Sequence, residues 1–267
     1  MSFQPVLPLS GYAGWTFLQR TIETQQATFN NDVQVKRATD HFRESIGTIR
    51  TAEDLVADRQ LLQVALGAFG LDDDIDNKFF IQKILSDGTT SEDALSSKLS
   101  DKSYAAFSKE FGFGEDDLPR TGLTSFAEKI VKLYETKQFQ RAVGDQDNDL
   151  RSALNVTSGL NDIVSNAVSN NARWFSIMGN APVRAVFEAA MGLPSSMASL
   201  DLDLQLDTFK SRAQSTFGTD EVGELTSPEQ QEKLVRLFLI RSEAADITAT
   251  SAGSVALTLL QNARRYY

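Results

Sequence analysis

The 267-residue chain has no cysteine, a single histidine and only six prolines. Without cysteine there can be no disulfide, no thiolate metal ligand and no thiol nucleophile. Any Ser-His-Asp constellation would have to run through His41, and no Gly-x-Ser-x-Gly elbow supplies its nucleophile. No stretch approaches 18 uninterrupted apolar residues, so no membrane span is expected. Met1-Ser2-Phe3-Gln4-Pro5 has neither the basic start nor the apolar run of a secretory signal. Basic runs are missing too. A net charge of −10 therefore argues against nucleic acid as a partner, because nothing would neutralise phosphates.

Charge is also scarce at both ends. Residues 1–31 carry only Arg20 and Glu23, and residues 247–267 only Arg264 and Arg265. Two readings of these Ser/Thr/Gln-rich ends stand side by side: ordinary termini, or segments that order against a partner. Trp15, Phe17 and Leu18 at one end, and Leu259 and Leu260 at the other, are the candidate partner-binding residues. The same residues fit a core equally well.

What is present is helical period. Trp15, Leu18, Ile22 and Phe29 predict a helix from about Ala13, and Asp32 is placed to cap a second carrying Val35, Ala38, Phe42 and Ile46. Thr51 with Asp54 forms a capping box for a helix that continues through Leu55, Leu62, Leu66 and Phe69 to Gly70. Thr124 to Val143 predicts a further helix, and Ser227-Pro228-Glu229-Gln230 opens another. Sustained period-2 alternation is absent, so the expected class is all-α.

One pattern occurs twice. Leu61–Leu71 ends in Ala68-Phe69-Gly70-Leu71, and Val183–Leu193 ends in Ala190-Met191-Gly192-Leu193. Glycine suits the left-handed C′ position of a helix, and the following leucine can fold back over the last turn. At a larger offset Phe79 aligns with Phe209, Gly88 with Gly218, Leu95 with Leu225, and Tyr104 with Leu234. The expected organisation is an N-terminal segment over 1–31 and one multihelical domain over 32–267. Within it lie repeat one at about 51–113, connecting helices at about 121–170, repeat two at about 173–242 and a C-terminal segment over 243–267.

Candidate chemistry fails on residue identity. Asp72, Asp74 and Asp76 have calcium-loop spacing, but Asn77 stands where glycine is needed and Lys83 where a bidentate glutamate is needed. Asp145, Asp147 and Asp149 fail likewise, with Leu150 and Val156 in those places. Both runs read as solvated acids complementing the next helix dipole. Gly112-Phe113-Gly114 lacks a third glycine and precedes Glu115-Asp116-Asp117, which would repel phosphate. No cofactor, metal or catalytic residue is assigned.

Several stretches together resemble a known family. They are Ala52 to Arg59 through Ala68-Phe69-Gly70-Leu71, Asn77 to Ile81, Leu99 to Tyr104, Arg173-Trp174-Phe175, Arg184 to Phe187, Gly192-Leu193-Pro194 and Asp203-Leu204-Gln205. With Gly11 to Trp15 they make the chain similar to domain of unknown function family 1217. The resemblance implies an alphaproteobacterial, multihelical protein with structural repeats and genes in or near flagellar clusters. It supplies no catalytic residues. The resulting expectation is a non-enzymatic, flagellum-associated structural or assembly protein acting through protein–protein contacts, cytoplasmic or exported without a cleaved signal. A cytoplasmic helical adaptor or chaperone is the alternative, and a carboxylate-based hydrolase a more distant one.

Overall fold

The structure, a computed structural model, describes residues 3–91, 93–99, 101–114 and 118–263; the side chains of Ser195 and of 248–263 lie outside the described residues. The described chain is all-α and multihelical, with no strand. Its contacts divide it into two compact units. Unit 1 comprises Met1–Val6 and Leu18–Gln146, and unit 2 comprises Leu7–Phe17 and Asp147–Tyr267.

The first helix, α1 (Gly11–Asn30), gives Trp15 to the core of unit 2 and Leu18 and Phe29 to that of unit 1. Unit 1 continues with α2 (Val33–Ser45), α3 (Ala52–Ala57), α4 (Arg59–Phe69), α5 (Lys78–Asp87), α6 (Leu95–Lys98), α7 (Ser103–Phe111) and α8 (Phe126–Gly144). Asp32 caps α2 through Gln34 N–H, and the Thr51–Asp54 capping box is formed in both directions. The helix expected to run unbroken from Ala52 to Phe69 instead breaks at Asp58, whose extended backbone ends α3 and starts α4. Its carboxylate accepts from the N–H groups of Gln60 and Leu61, the local competition that makes aspartate a poor helix-interior residue.

Helix α4 is the hub of unit 1. Leu61, Leu62, Val64, Ala65, Leu66, Gly67 and Ala68 are all buried, each large side chain contributing about 1.5–3 kcal/mol. Its main neighbours are α8 and α2. Gly67 lets α8 approach: a Cβ there would sit 2.7 Å from the Tyr134 ring. A further apolar cluster runs through Phe69, Phe107, Phe111 and Phe126, with rings packed edge-on or tilted. Phe79, which the register aligns with Phe209, is 82% exposed. The buried stripe of α5 is Ile81, Ile84 and Leu85, and Phe79 falls on the opposite side of the helix turn.

Unit 2 contains α9 (Asn148–Asn166), α10 (Asn170–Gly179), α11 (Ala181–Met191), α12 (Leu202–Phe217) and α13 (Pro228–Ala263). Trp174 is fully buried against Phe187 and Phe209, and its indole N–H donates to the Asp220 carbonyl at 2.8 Å. Asn170 bridges the same loop, donating to the Asp220 carbonyl and accepting from Val222 N–H. Phe217 extends the aromatic cluster. Leu202, expected in the buried face of α12, is 53% exposed, while Gln205 takes an inward position.

The two units follow one helical plan. Asp58 and Asn180 each close one helix and cap the next, with nearly the same backbone angles (φ −91°, ψ 104° and φ −99°, ψ 97°). Each is followed by an 11-residue helix that ends on a left-handed glycine, Gly70 at φ 72° or Gly192 at φ 66°. Leu71 N–H then donates to the Leu66 carbonyl and Leu193 N–H to that of Glu188, the longer bond of a Schellman motif. α11 packs against α13 and α9 as α4 packs against α8 and α2. Register alignment sets α7 on the start of α13, whereas packing makes α8 the counterpart of α13.

Equivalent substitutions should therefore cost similar amounts in the two units. Asp58→Ala and Asn180→Ala are expected to lose about 1 kcal/mol each. Gly70→Ala and Gly192→Ala are expected to lose about 1–2 kcal/mol each, because alanine is strained at positive φ. Urea unfolding of the four variants measures this, and unchanged midpoints would contradict the hub role of α4 and α11.

Candidate functional site

The residues singled out from sequence do not converge. Trp15 is 4% exposed in unit 2, where its indole N–H donates to Glu232 at 3.3 Å, beside Tyr12, whose hydroxyl donates to the same carboxylate at 2.7 Å. The Glu232 bond, with burial, raises the Tyr12 hydroxyl above its ordinary pKa. Leu18 is fully buried in unit 1, and Phe17 is half-buried. Trp15 and Leu18 are thus packed inside this chain, the core alternative. Leu259 and Leu260 lie on the helical backbone of α13, but their side chains are outside the described residues.

What unit 1 does present is a polar cleft of ≈440 Å³, lined among others by Phe3, Asp32, Gln63, Tyr134, Gln138 and Arg141. One lip is the extended segment 3–6, which is tied down by side chains rather than by secondary structure. Phe3 N–H donates to Asp32 at 3.0 Å, and Gln146 donates to the Pro5 carbonyl at 2.8 Å. Gln25 accepts from Val6 N–H at 2.7 Å and donates to the Val6 carbonyl at 3.2 Å. Sequence reasoning missed this arrangement: Gln25 read as one of the polar positions of α1, yet it is 7% exposed. Beside a local bond to the Thr21 hydroxyl at 2.8 Å, its partners are main-chain groups 19 residues away in sequence, which no short window reveals.

Gln138 and Arg141, which line the cleft, bond acids of the turn that follows Gly70. These acids were expected to be solvated; Asp73 and Asp76 are exposed, whereas Asp72 and Asp74 are half-buried and bonded. Asp72 accepts from Gln138 at 2.6 Å and pairs with Arg141 at 3.2 Å, and Arg141 also pairs with Asp73. Asp74 accepts from the Tyr104 hydroxyl at 2.6 Å, and Asp76 pairs with Arg59. The acidic turn therefore latches onto α8 and α7 within unit 1. Asp147, by contrast, caps α9 through the N–H groups of Asp149 and Leu150, as a dipole-complementing acid should.

Hydrogen bonds from the N–H groups of Gln34 and Phe3 hold the Asp32 carboxyl below the usual range. Burial pushes the Asp58 carboxyl up, but hydrogen bonding to His41 and to the N–H groups of Leu61 and Gln60 outweighs it and leaves it low. His41, half-buried, pairs with Asp58 at 2.9 Å and so buttresses a helix cap. Burial raises the Glu135 carboxyl, opposed by Arg43, while Asn30 donates to it at 2.9 Å. None of these arrangements sets an acid opposite a nucleophile.

Burial first, and then the bond to Asp74, pushes the Tyr104 hydroxyl up to about 12. Its folded pKa exceeds the ordinary value of 10.0, so the stability it contributes is complete below pH 10 and is lost as pH rises through about 12. Burial raises Tyr134 as well, and the Glu232 bond raises Tyr12, so tyrosinate absorbance should show several late-titrating groups, and Tyr104→Phe should remove the one at about 12. Asp74→Asn should bring it only part of the way back, since burial remains. A single transition at the ordinary value would contradict the Tyr104–Asp74 bond.

No curated protein matches the chain. Its fold is similar to that in the crystal structure of a structural-genomics target protein from Agrobacterium tumefaciens, with a TM-score of 0.70 over 90% of this chain and 98% of that one. Sequence identity is 23%, so the likeness concerns the fold. The family model described as Protein of unknown function (DUF1217) matches residues 68–230, from the last turn of α4 into the first turn of α13. The chain belongs to that family.

Proposed function

We propose that the protein is a non-enzymatic structural or assembly component associated with the flagellum, acting through protein–protein contacts. Membership of the DUF1217 family carries the flagellar part of this reading, through the gene setting that the family resemblance implies. The shape of α13 supports the contact part. This helix runs for 36 residues, roughly 54 Å at 1.5 Å per residue. Leu234, Val235, Phe238 and Leu239 bury its first third against unit 2, but every residue from Glu243 to Ile247 is exposed. Ile240 and Ile247, two turns apart and therefore on one face, are 50% and 66% exposed. Apolar side chains repeated along an outward helix face suit capture of another helix.

Deleting the gene should reduce swimming and the number of flagella, and normal motility with normal filaments would overturn the flagellar reading. The protein should also appear in basal-body preparations; recovery from the cytosol alone would favour an adaptor. Replacing Ile240 and Ile247 together by lysine should leave stability within about 0.5 kcal/mol, because both are surface positions. The same variant should no longer co-purify with basal bodies. Undiminished co-purification would remove α13 from the contact surface.

A further inference from the structure

We propose that the residue 3–6 segment is an exchangeable strap, and that its seat in unit 1 accepts the same segment from a second copy of this chain. The seat reads main chain. Four hydrogen bonds from Gln25, Asp32 and Gln146 meet the N–H groups of Phe3 and Val6 and the carbonyls of Pro5 and Val6. Pro5 is the side chain buried in it, while Gln4, at the rim of the cleft, and Val6 are exposed. A site built this way recognises an extended segment with proline at one position, and residues 3–6 of any copy satisfy it identically.

Two features make the seat a binding site and not a passive surface. Gln25 is more than nine-tenths buried and spends its carbonyl oxygen on Val6, so an empty seat would leave that oxygen without its partner. The strap is joined to α1 by Leu7–Ser10, which has no helix of its own and contains Pro8. Exchange by such an arm replaces every contact by an identical one, so the balance is set by concentration. A four-residue tether gives the resident strap an effective concentration of about millimolar. In dilute protein the strap closes on its own chain. Where copies are held side by side, as in an assembly, straps pass between neighbours. The inference concerns copies of this chain and stands independently of the flagellar setting.

The absence of native cysteine makes a direct test possible. Gln4 and Ala142 both line the cleft, and Glu53 on α3 is an exposed control. Full-length chains carrying Gln4→Cys are mixed with chains carrying Ala142→Cys and treated with a short bismaleimide. The mixed-chain product should rise with concentration, and near about 1 mM should exceed that of a Gln4→Cys and Glu53→Cys mixture by about tenfold. Adding Pro5→Asp to the Gln4→Cys chain alone should lower the yield severalfold, because its strap then competes for the seat with an intact resident strap. Equal yields from the two mixtures at every concentration would overturn the proposal. So would a yield unaffected by Pro5→Asp on the donor chain, since the crosslinks would then be collisions.

Discussion

Both units depend on solving one problem: how to start and stop a short helix that packs against several neighbours. An 11-residue helix leaves four N–H and four C=O groups without intrahelical partners at its ends, and each needs one. α4 and α11 answer with the chain itself. An Asx residue in extended conformation caps the start, and a left-handed glycine turns the following leucine N–H back onto the last turn. In unit 2 a third device is added, with the Arg241 guanidinium donating to the Ala190 carbonyl and placing positive charge at the negative end of the helix. With the ends closed, the flanking helices can pack against α4 or α11.

The same logic accounts for the acids after Gly70. A turn that must leave a buried helix and enter an amphipathic one exposes carboxylates beside the flanks of α7 and α8. Arg141, Gln138 and Tyr104 convert those carboxylates into anchors. Two of these acids share one guanidinium and another accepts from a phenol. Such partners compete with a cation for the same oxygens. The segment after Gly192 has Pro194 and serines in its place, and Met197 is its buried side chain.

Seen as a whole, the molecule invests its polar side chains in holding chain to chain. Gln25, Gln146, Asn170 and Asp32 all bond main-chain groups, and His41 supports a cap.

Much of this was legible in the sequence because it is local. Helical period, the Thr51 capping box, the Asp32 cap and the two glycine stops depend on residues within a few positions of one another, so their physics is written in short windows. The family likeness could be read for the same reason, as a set of short matched stretches. What only the tertiary structure decided involves partners distant along the chain. The break at Asp58 needed His41 and the N–H groups of α4 to hold it, and no proline or glycine announced it. Phe79 faces outward although its aligned partner Phe209 is fully buried, because α12 is longer than α5 and enters its unit differently. Gln25 is interior because an extended segment outside α1 brings peptide groups to it. Pattern reading finds which face of a helix is apolar; whether a polar residue has a partner that makes burial affordable is settled only when the chain has folded.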